Sequence, residues 1–283
     1  MTISLFTKCL FEFIGTALLI LLGDGVVASS LLKHSKGFGG GWVVITFAWG
    51  FAVMCGAFVA APYSGAHLNP ALSIGLALAH TFPWAYVPAY IIAQLAGGFL
   101  GAVLVYVFYK DHYDATEDPD VKLGTFCTMP AIRNIPRNLI CEVIGTFVLV
   151  FVILCLAIDG NTPEVGLGSV GLFPVTFLIV AIGMSLGGAT GYAINPARDL
   201  PPRFAHFVLP IRGKGSSGWG YSWVPVLGVP VRAVGINAPC ERIRVRDALL
   251  LLPVVTGVLV NVVVHLIYPV AAGVSVIFAF LPL

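Results

Sequence analysis

The sequence predicts an all-α membrane protein built as an inverted repeat of spanning helices and two half-helices. Three observations carry that reading. Of the 283 residues, 58% are hydrophobic and only 10% charged, whereas a soluble domain carries about 25% charge; the mean hydropathy is +0.97. The tripeptide Asn-Pro-Ala occurs twice, at Asn69-Pro70-Ala71 and Asn195-Pro196-Ala197, each time with a Gly four residues before the Asn (Gly65, Gly191). The motif Glu12-Phe13-Ile14-Gly15-Thr16 returns 130 residues later (12 to 142) as Glu142-Val143-Ile144-Gly145-Thr146.

A spanning helix needs about 20 apolar residues. The first predicted span is Cys9–Leu32, ended by Lys33-His34-Ser35-Lys36. It is too long for the apolar core of a signal peptide and has no clear small-x-small cleavage site, so it reads as a retained helix. The second span is Trp42–Pro62. Ser64–Ala71 follows, and Leu72–Ala79 continues it for about two turns, too short to cross. The third span is Trp84–Tyr109. Lys110–Arg137 is a polar linker with Asp111, Asp114, Glu117, Asp118 and Asp120, and its acidic run Asp111–Asp120 is read as a solvated loop. The fourth span is Asn138–Ile158, Asp159–Gly168 is a polar loop, and the fifth span is Ser169–Gly188. It leads into the second Asn-Pro-Ala and a short segment, Ala197–Leu209. Gly213–Gly220 is a turn.

Each half therefore runs Glu-x-x-Gly-Thr span, span, Asn-Pro-Ala segment. Three spans per half is odd, so the second copy enters the membrane inverted. Inverted repeats with broken helices put the functional site at the midplane. Pro suits the first turn of a helix, where its missing N–H costs nothing, and the preceding Asn caps that helix. Each copy thus predicts a loop that turns into a short helix, with a positive dipole end and an Asn amide at membrane depth.

Other chemistry is not written here. A net charge of +2 is too small to suggest nucleic acid binding. The six cysteines (9, 55, 127, 141, 155 and 240) show no metal-ligand or redox spacing, and no cofactor, metal or catalytic group is predicted. There is no phosphate-binding Gly-rich loop, so transport is expected to be passive and the protein is not read as an enzyme.

On the paired Asn-Pro-Ala and Glu-x-x-Gly-Thr motifs, and on Ser64-Gly65-Ala66-His67-Leu68-Asn69-Pro70-Ala71, the chain resembles the aquaporin superfamily over about Phe6 to Gly228. Asp199 directly after Asn-Pro-Ala-Arg, Arg203, and Trp223-Val224-Pro225 resemble its glycerol-facilitator (aquaglyceroporin) branch. The resemblance implies a bundle of six transmembrane helices plus two half-helices, assembled as a homotetramer with one pore per protomer. It implies that the Asn69 and Asn195 amides donate to passing solutes while Pro70, Ala71, Pro196 and Ala197 pack the two tips together. It puts the filter at Trp49, Gly183, Tyr192 and Arg198, where small Gly183 makes room for Tyr192. The permeants implied are glycerol, small polyols and water, in a multi-pass protein of the cell membrane whose N-terminus is cytoplasmic.

The single channel domain then divides into a first repeat (1–110), a connecting loop (111–136), a second repeat (137–228) and an atypical C-terminal part (229–283). Carbonyls of Gly65–Leu68 and Gly191–Ile194 are expected to replace solute hydration, because irregular backbone at this depth is tolerated where it lines a cavity. Glu12 and Glu142 are intramembrane carboxylates, open to a proton-relay reading; repeat symmetry favours hydrogen bonding to loop N–H groups. His67 is read as lining or bracing rather than as a pH gate, and Asp24 as lying near an interface. Gly97, Gly98 and Gly101 are read as helix-packing residues.

Two departures from the family pattern stand out. Pro201-Pro202 follows Leu200, and Pro201 removes an N–H early in the short helix, with a possible shift of Arg203. After Gly228 the composition changes abruptly, with four of the nine Arg between 232 and 246. Ala248–Tyr268 replaces the sixth span, or the tail docks elsewhere, or a shifted reading frame begins near Gly228; the composition change favours the last. Three rivals to a glycerol channel stay open: a mainly water-selective channel, a proton-coupled transporter using Glu12 and Glu142, and a non-conducting protein with an incomplete pore.

Overall fold

The computed structural model describes residues 3–156 and 171–227, all of which lie in one unit, Met1–Val234. Among these residues every regular element is a helix. The first, α1 (Leu5–Leu31), starts a turn earlier than its apolar run because Ser4 caps it, accepting from the Thr7 N–H at 3.1 Å. The second, α2 (Gly41–Ser64), runs through Pro62 and stops at Gly65, whose φ of 86° is left-handed. The half-helix α3 (Pro70–Leu78) follows, then a short 3₁₀ turn over Trp84–Tyr86 and α4 (Val87–Phe108).

Two short helices, α5 (Lys110–Ala115) and α6 (Pro119–Gly124), lie in the linker. The second half brings α7 (Ile135–Leu156), α8 (Phe173–Leu186), the half-helix α9 (Pro196–Val208) and a final turn, α10 (Trp223–Leu227). The stretches Leu5–Leu31, Gly41–Ser64, Trp84–Phe108 and Ile135–Leu156 are long and apolar enough to cross a membrane, with mean hydropathies of 2.0, 2.2, 2.1 and 2.9. The Asp159–Gly168 loop, the start of the fifth span and the question of the sixth helix lie outside the described residues.

Lipid offers no hydrophobic drive for one apolar helix to leave it for another, so close packing at small residues does that work. A Cβ on Gly56 of α2 would sit 2.5 Å from the Gly15 carbonyl oxygen of α1. On α4, Gly97 and Gly101 lie against α1: their Cβ atoms would be 2.3 Å and 2.6 Å from the Phe13 and Ala17 oxygens. Gly98 faces α9 instead, where a Cβ would come to 2.4 Å from the Ala197 oxygen. Pro201 has no N–H to offer that same Ala197 oxygen four residues back, and α9 nevertheless continues through Pro201 and Pro202. The sequence-read packing role of these glycines is what the geometry supports.

The acidic run of the linker is solvated as read, while other residues of the linker are not. Its acidic side chains are exposed at Asp111, Asp114, Glu117, Asp118 and Asp120, but Tyr113, Lys122, Leu123, Phe126 and Cys127 are buried. Tyr113 and Thr125 share a 2.6 Å hydroxyl hydrogen bond, and the Lys33 N–H after α1 donates to Thr116 Oγ1 at 3.0 Å. The charge pattern reported the outer face of this segment and concealed its aromatic inner face. Cys9, Cys55, Cys127, Cys141 and Cys155 are free thiols.

Candidate functional site

The two half-helix N-termini meet tip to tip. Asn69 and Asn195 are the N-caps of α3 and α9: Asn69 Oδ1 accepts the Ala71 N–H and Asn195 Oδ1 the Ala197 N–H, each at 2.9 Å. Each amide nitrogen then crosses to the other half. Asn69 Nδ2 donates to the Ile194 carbonyl at 3.0 Å, and Asn195 Nδ2 to the Leu68 carbonyl at 2.9 Å. This uses both acceptor oxygens and one N–H of each amide. Each Asn amide keeps one N–H without a protein partner.

The loops feeding the tips share a backbone pattern position by position, offset by 126 residues (65 to 191). Gly65, Ala66 and Leu68 have φ of 86°, 52° and 50°; Gly191, Tyr192 and Ile194 have 85°, 40° and 43°. Left-handed non-glycine residues are uncommon, and such strain persists where the surroundings impose it. Among the described residues the carbonyls of Gly65, Ala66 and His67, and of Gly191, Tyr192 and Ala193, accept no hydrogen bond from the protein. The Leu68 and Ile194 carbonyls, expected to act with them, are instead taken up by the crossed Asn amides.

The two intramembrane glutamates impose this geometry. Glu12 accepts from the His67 and Leu68 N–H groups at 2.9 and 2.7 Å, from Ser64 Oγ at 2.6 Å and from Gln94 Nε2 at 2.8 Å. Glu142 accepts from the corresponding Ala193 and Ile194 N–H groups at 3.2 and 3.1 Å. Both are buried. Each is a clamp on its loop, in the arrangement that repeat symmetry suggests. His67 bonds Ser73 Oγ through Nδ1 at 3.0 Å and packs between Phe82 and Tyr90, at 4.4 and 5.0 Å between ring centroids.

Of the four residues expected at the filter, Trp49 meets Arg198 and Gly183 meets Tyr192. The Arg198 guanidinium lies over the Trp49 ring at 4.1 Å from its centroid, a cation–π contact. Gly183 gives room to Tyr192: a Cβ there would be 2.8 Å from Tyr192 Cζ. Gly187 does the same, at 2.4 Å from Tyr192 Cδ1. The Tyr192 hydroxyl is buried with no protein partner.

Behind Arg198, α9 is locked down. Asp199 Oδ2 accepts from the Thr128 N–H at 2.7 Å and hydroxyl at 2.6 Å, and its Oδ1 pairs with Arg203 Nη2 at 2.9 Å. Arg203 Nη1 donates to the Ser217 and Gly218 carbonyls at 2.9 and 3.2 Å, and Nη2 to the Thr128 carbonyl at 2.9 Å. The prolines ahead of Arg203 have not displaced it from this pocket; the helix simply carries it round to Asp199, four residues back. The linker and the 213–220 turn are thereby fastened to the half-helix that carries Arg198.

Several residues of this site escaped the sequence reading. Asp24, placed near an interface by its position late in the first span, is buried at 1% exposure and pairs with Arg198 Nη1 at 3.4 Å. Gly23 beside it makes room for Trp49, since a Cβ would be 2.3 Å from that ring. Trp42 donates through Nε1 to the Gly183 carbonyl at 3.0 Å and meets Tyr192 edge-on. Gln94 joins Glu12 to Ser73, at 2.8 and 3.0 Å. A usable signal existed for Asp24: an intramembrane acid needs a partner, and Arg198 was the intramembrane base.

Comparison with known proteins agrees with this arrangement. A sequence profile of the family described as Major intrinsic protein matches residues 1–235. A probable glycerol uptake facilitator protein of Thermotoga maritima is 54% identical over 217 residues, covering 77% of this chain and 91% of the relative. The glycerol uptake facilitator protein of Bacillus subtilis is 55% identical over 219 residues, covering 77% of each. The X-ray structure of the aquaglyceroporin from Plasmodium falciparum superposes with a TM-score of 0.68 at 30% identity, covering 92% of this chain and all of that one.

Proposed function

We propose, for a chain that belongs to the major intrinsic protein family, that it is a passive transmembrane channel for glycerol and small uncharged polar solutes, with some water. The observation that carries this reading is the one-sided chemistry of the constriction. Trp49 and Tyr192 offer aromatic surface to a carbon backbone. Arg198, always charged, offers N–H donors to hydroxyls on the other edge. Linear polyols fit that asymmetry, and a sugar ring is too wide for it.

The free carbonyls of Gly65–His67 and Gly191–Ala193 replace hydration lost on entry. A solute at the tips meets the spare Asn69 and Asn195 N–H groups and the positive ends of two helices. A water there accepts two hydrogen bonds and is turned with its oxygen to the junction. A chain of waters is thus oriented outward from the centre in both directions, which opposes proton relay, and the dipoles oppose cations. Glu12 and Glu142 are engaged by loop N–H groups, which favours a structural role over proton coupling. The protein acts in the cell membrane as a homotetramer, one pore per protomer, by analogy with its family.

Stopped-flow light scattering on proteoliposomes tests this. An inward glycerol gradient should produce rapid shrinkage followed by fast reswelling, and the reswelling should be lost when bulk is added at Tyr192. Shrinkage faster than that of empty liposomes with no reswelling would move the assignment to a water channel. A flux that follows an imposed pH gradient would sink the passive reading.

A further inference from the structure

Asp24 is a buried carboxylate to which the proposed channel function gives no role. It sits one residue after Gly23, the position that gives way to the Trp49 ring. The guanidinium of Arg198 is therefore held between two groups of the first half: the Trp49 face at 4.1 Å and Asp24 Oδ1 at 3.4 Å. Among the described residues Asp24 is the one acceptor of a hydrogen bond from the Arg198 side chain. The second oxygen, Oδ2, is buried without a donor, so the carboxylate is not held in place for the sake of any other contact. The neighbouring buried charges, Asp199 and Arg203, already satisfy one another at 2.9 Å.

We propose that Asp24 is a positioning residue of the selectivity filter. It fixes the Arg198 guanidinium against Trp49, and it offsets the arginine charge so that the constriction prefers uncharged polyols to small carboxylate anions. This rests on the reading of the chain as a glycerol channel. The physical ground is that a lone cation, flanked by two positive helix ends in a site of low dielectric, would attract anions strongly. A carboxylate behind it cancels that field while leaving the remaining guanidinium N–H groups free for hydroxyls. Specificity is then a matter of rejecting the charged analogue as well as holding the neutral one.

The test uses the full chain in proteoliposomes, as Asp24→Asn, Arg198→Ala and the double variant. Asparagine keeps the size and one acceptor oxygen but removes the charge. Water flux, glycerol flux and the inhibition of each by sodium lactate at pH 7.5 are measured together. For Asp24→Asn the glycerol-to-water flux ratio should fall roughly tenfold, as for a coupled pair. Lactate should become an inhibitor of the variant at concentrations that leave the unaltered chain unaffected. In the Arg198→Ala background the same substitution should change the ratio and the lactate response less than about twofold.

An equal effect of Asp24→Asn with and without Arg198 would overturn the proposal. So would a parallel loss of water and glycerol flux with no lactate response, which would make Asp24 a packing residue. If the unaltered chain carried water and no glycerol, the channel assignment would fail separately. The Asp24–Arg198 coupling would still be read from lactate inhibition of water flux.

Discussion

The two Asn-Pro-Ala regions are alike at their tips and unlike just beyond them. Counting 126 residues along, Asn69 maps to Asn195 and Leu68 to Ile194, and their caps, φ angles and crossed amide bonds coincide. The same count maps Ala66 to Tyr192, Leu72 to Arg198, Ser73 to Asp199 and Ala77 to Arg203. The centre of the molecule is a structure both halves must build, so it is repeated. At those positions aromatic bulk and charge stand in the second copy only. The first copy has Ala66, Leu72 and Ala77 there, carries His67 where the second has Ala193, and braces its loop through Glu12, Gln94 and Ser64.

Breaking the charged half of this comparison should cost most. Arg203→Met leaves Asp199 buried and unpaired, and the loss expected is about 3–5 kcal/mol. Thermal unfolding in detergent measures it; an unchanged midpoint would refute the structural assignment of that arginine. Restoring balance with Asp199→Asn in the same chain should recover part of the loss.

The two clamps come next. Glu12→Ala removes four hydrogen bonds, while Glu142→Ala removes those from the Ala193 and Ile194 N–H groups and the support of the Thr190 side chain. Each buried donor left unpaired costs about 1–3 kcal/mol, so Glu12→Ala should destabilise the more. Equal losses would mean that the first loop has other supports. Gly183→Val tests the asymmetric filter with little effect on the clamps. The Cβ collides with Tyr192, and glycerol flux should drop at least about tenfold while the protein stays assembled. Preserved glycerol flux would show that Tyr192 does not bound the path.

The smallest effect concerns the far end of α9. Lys214 donates to the carbonyls of His206, Phe207 and Leu209, at 2.9, 2.6 and 2.6 Å, capping the negative end of the helix. Burial lowers its amine below the ordinary 10.5. A lysine depressed on folding binds more protons unfolded, so its contribution to stability rises with pH as the amine titrates, from its folded value up to the ordinary one. A scan of unfolding midpoints from pH 8 to 10.5 should show that rise in the native chain and a flatter profile in Lys214→Gln.

The helices and the tips were legible in the sequence because both rest on local signals. Apolar length marks a span, and an Asn-Pro pair marks a capped half-helix whatever surrounds it. Glu12 and Glu142 were legible as a pair because repetition ties each to the loop in its own half. Asp24 was not, since its partner lies 174 residues away on the other half and has no symmetric twin. The inner face of the linker was hidden for a different reason. Its charges face outward and dominate composition, while Tyr113 and Phe126 report nothing until they find the core. The roles of Gly23 and Gly187 are likewise invisible without knowing which ring stands opposite.

The crossed amides at the tips also bear on how the protein is made. Asn69 leaves the ribosome 125 residues before the Ile194 carbonyl it requires, and Asn195 reaches back 127 residues to Leu68. The first half must therefore wait in the bilayer with its tip unfinished while the second is synthesised. Closure of the centre is a late event of assembly, and a chain interrupted before residue 195 can insert helices but cannot complete either tip.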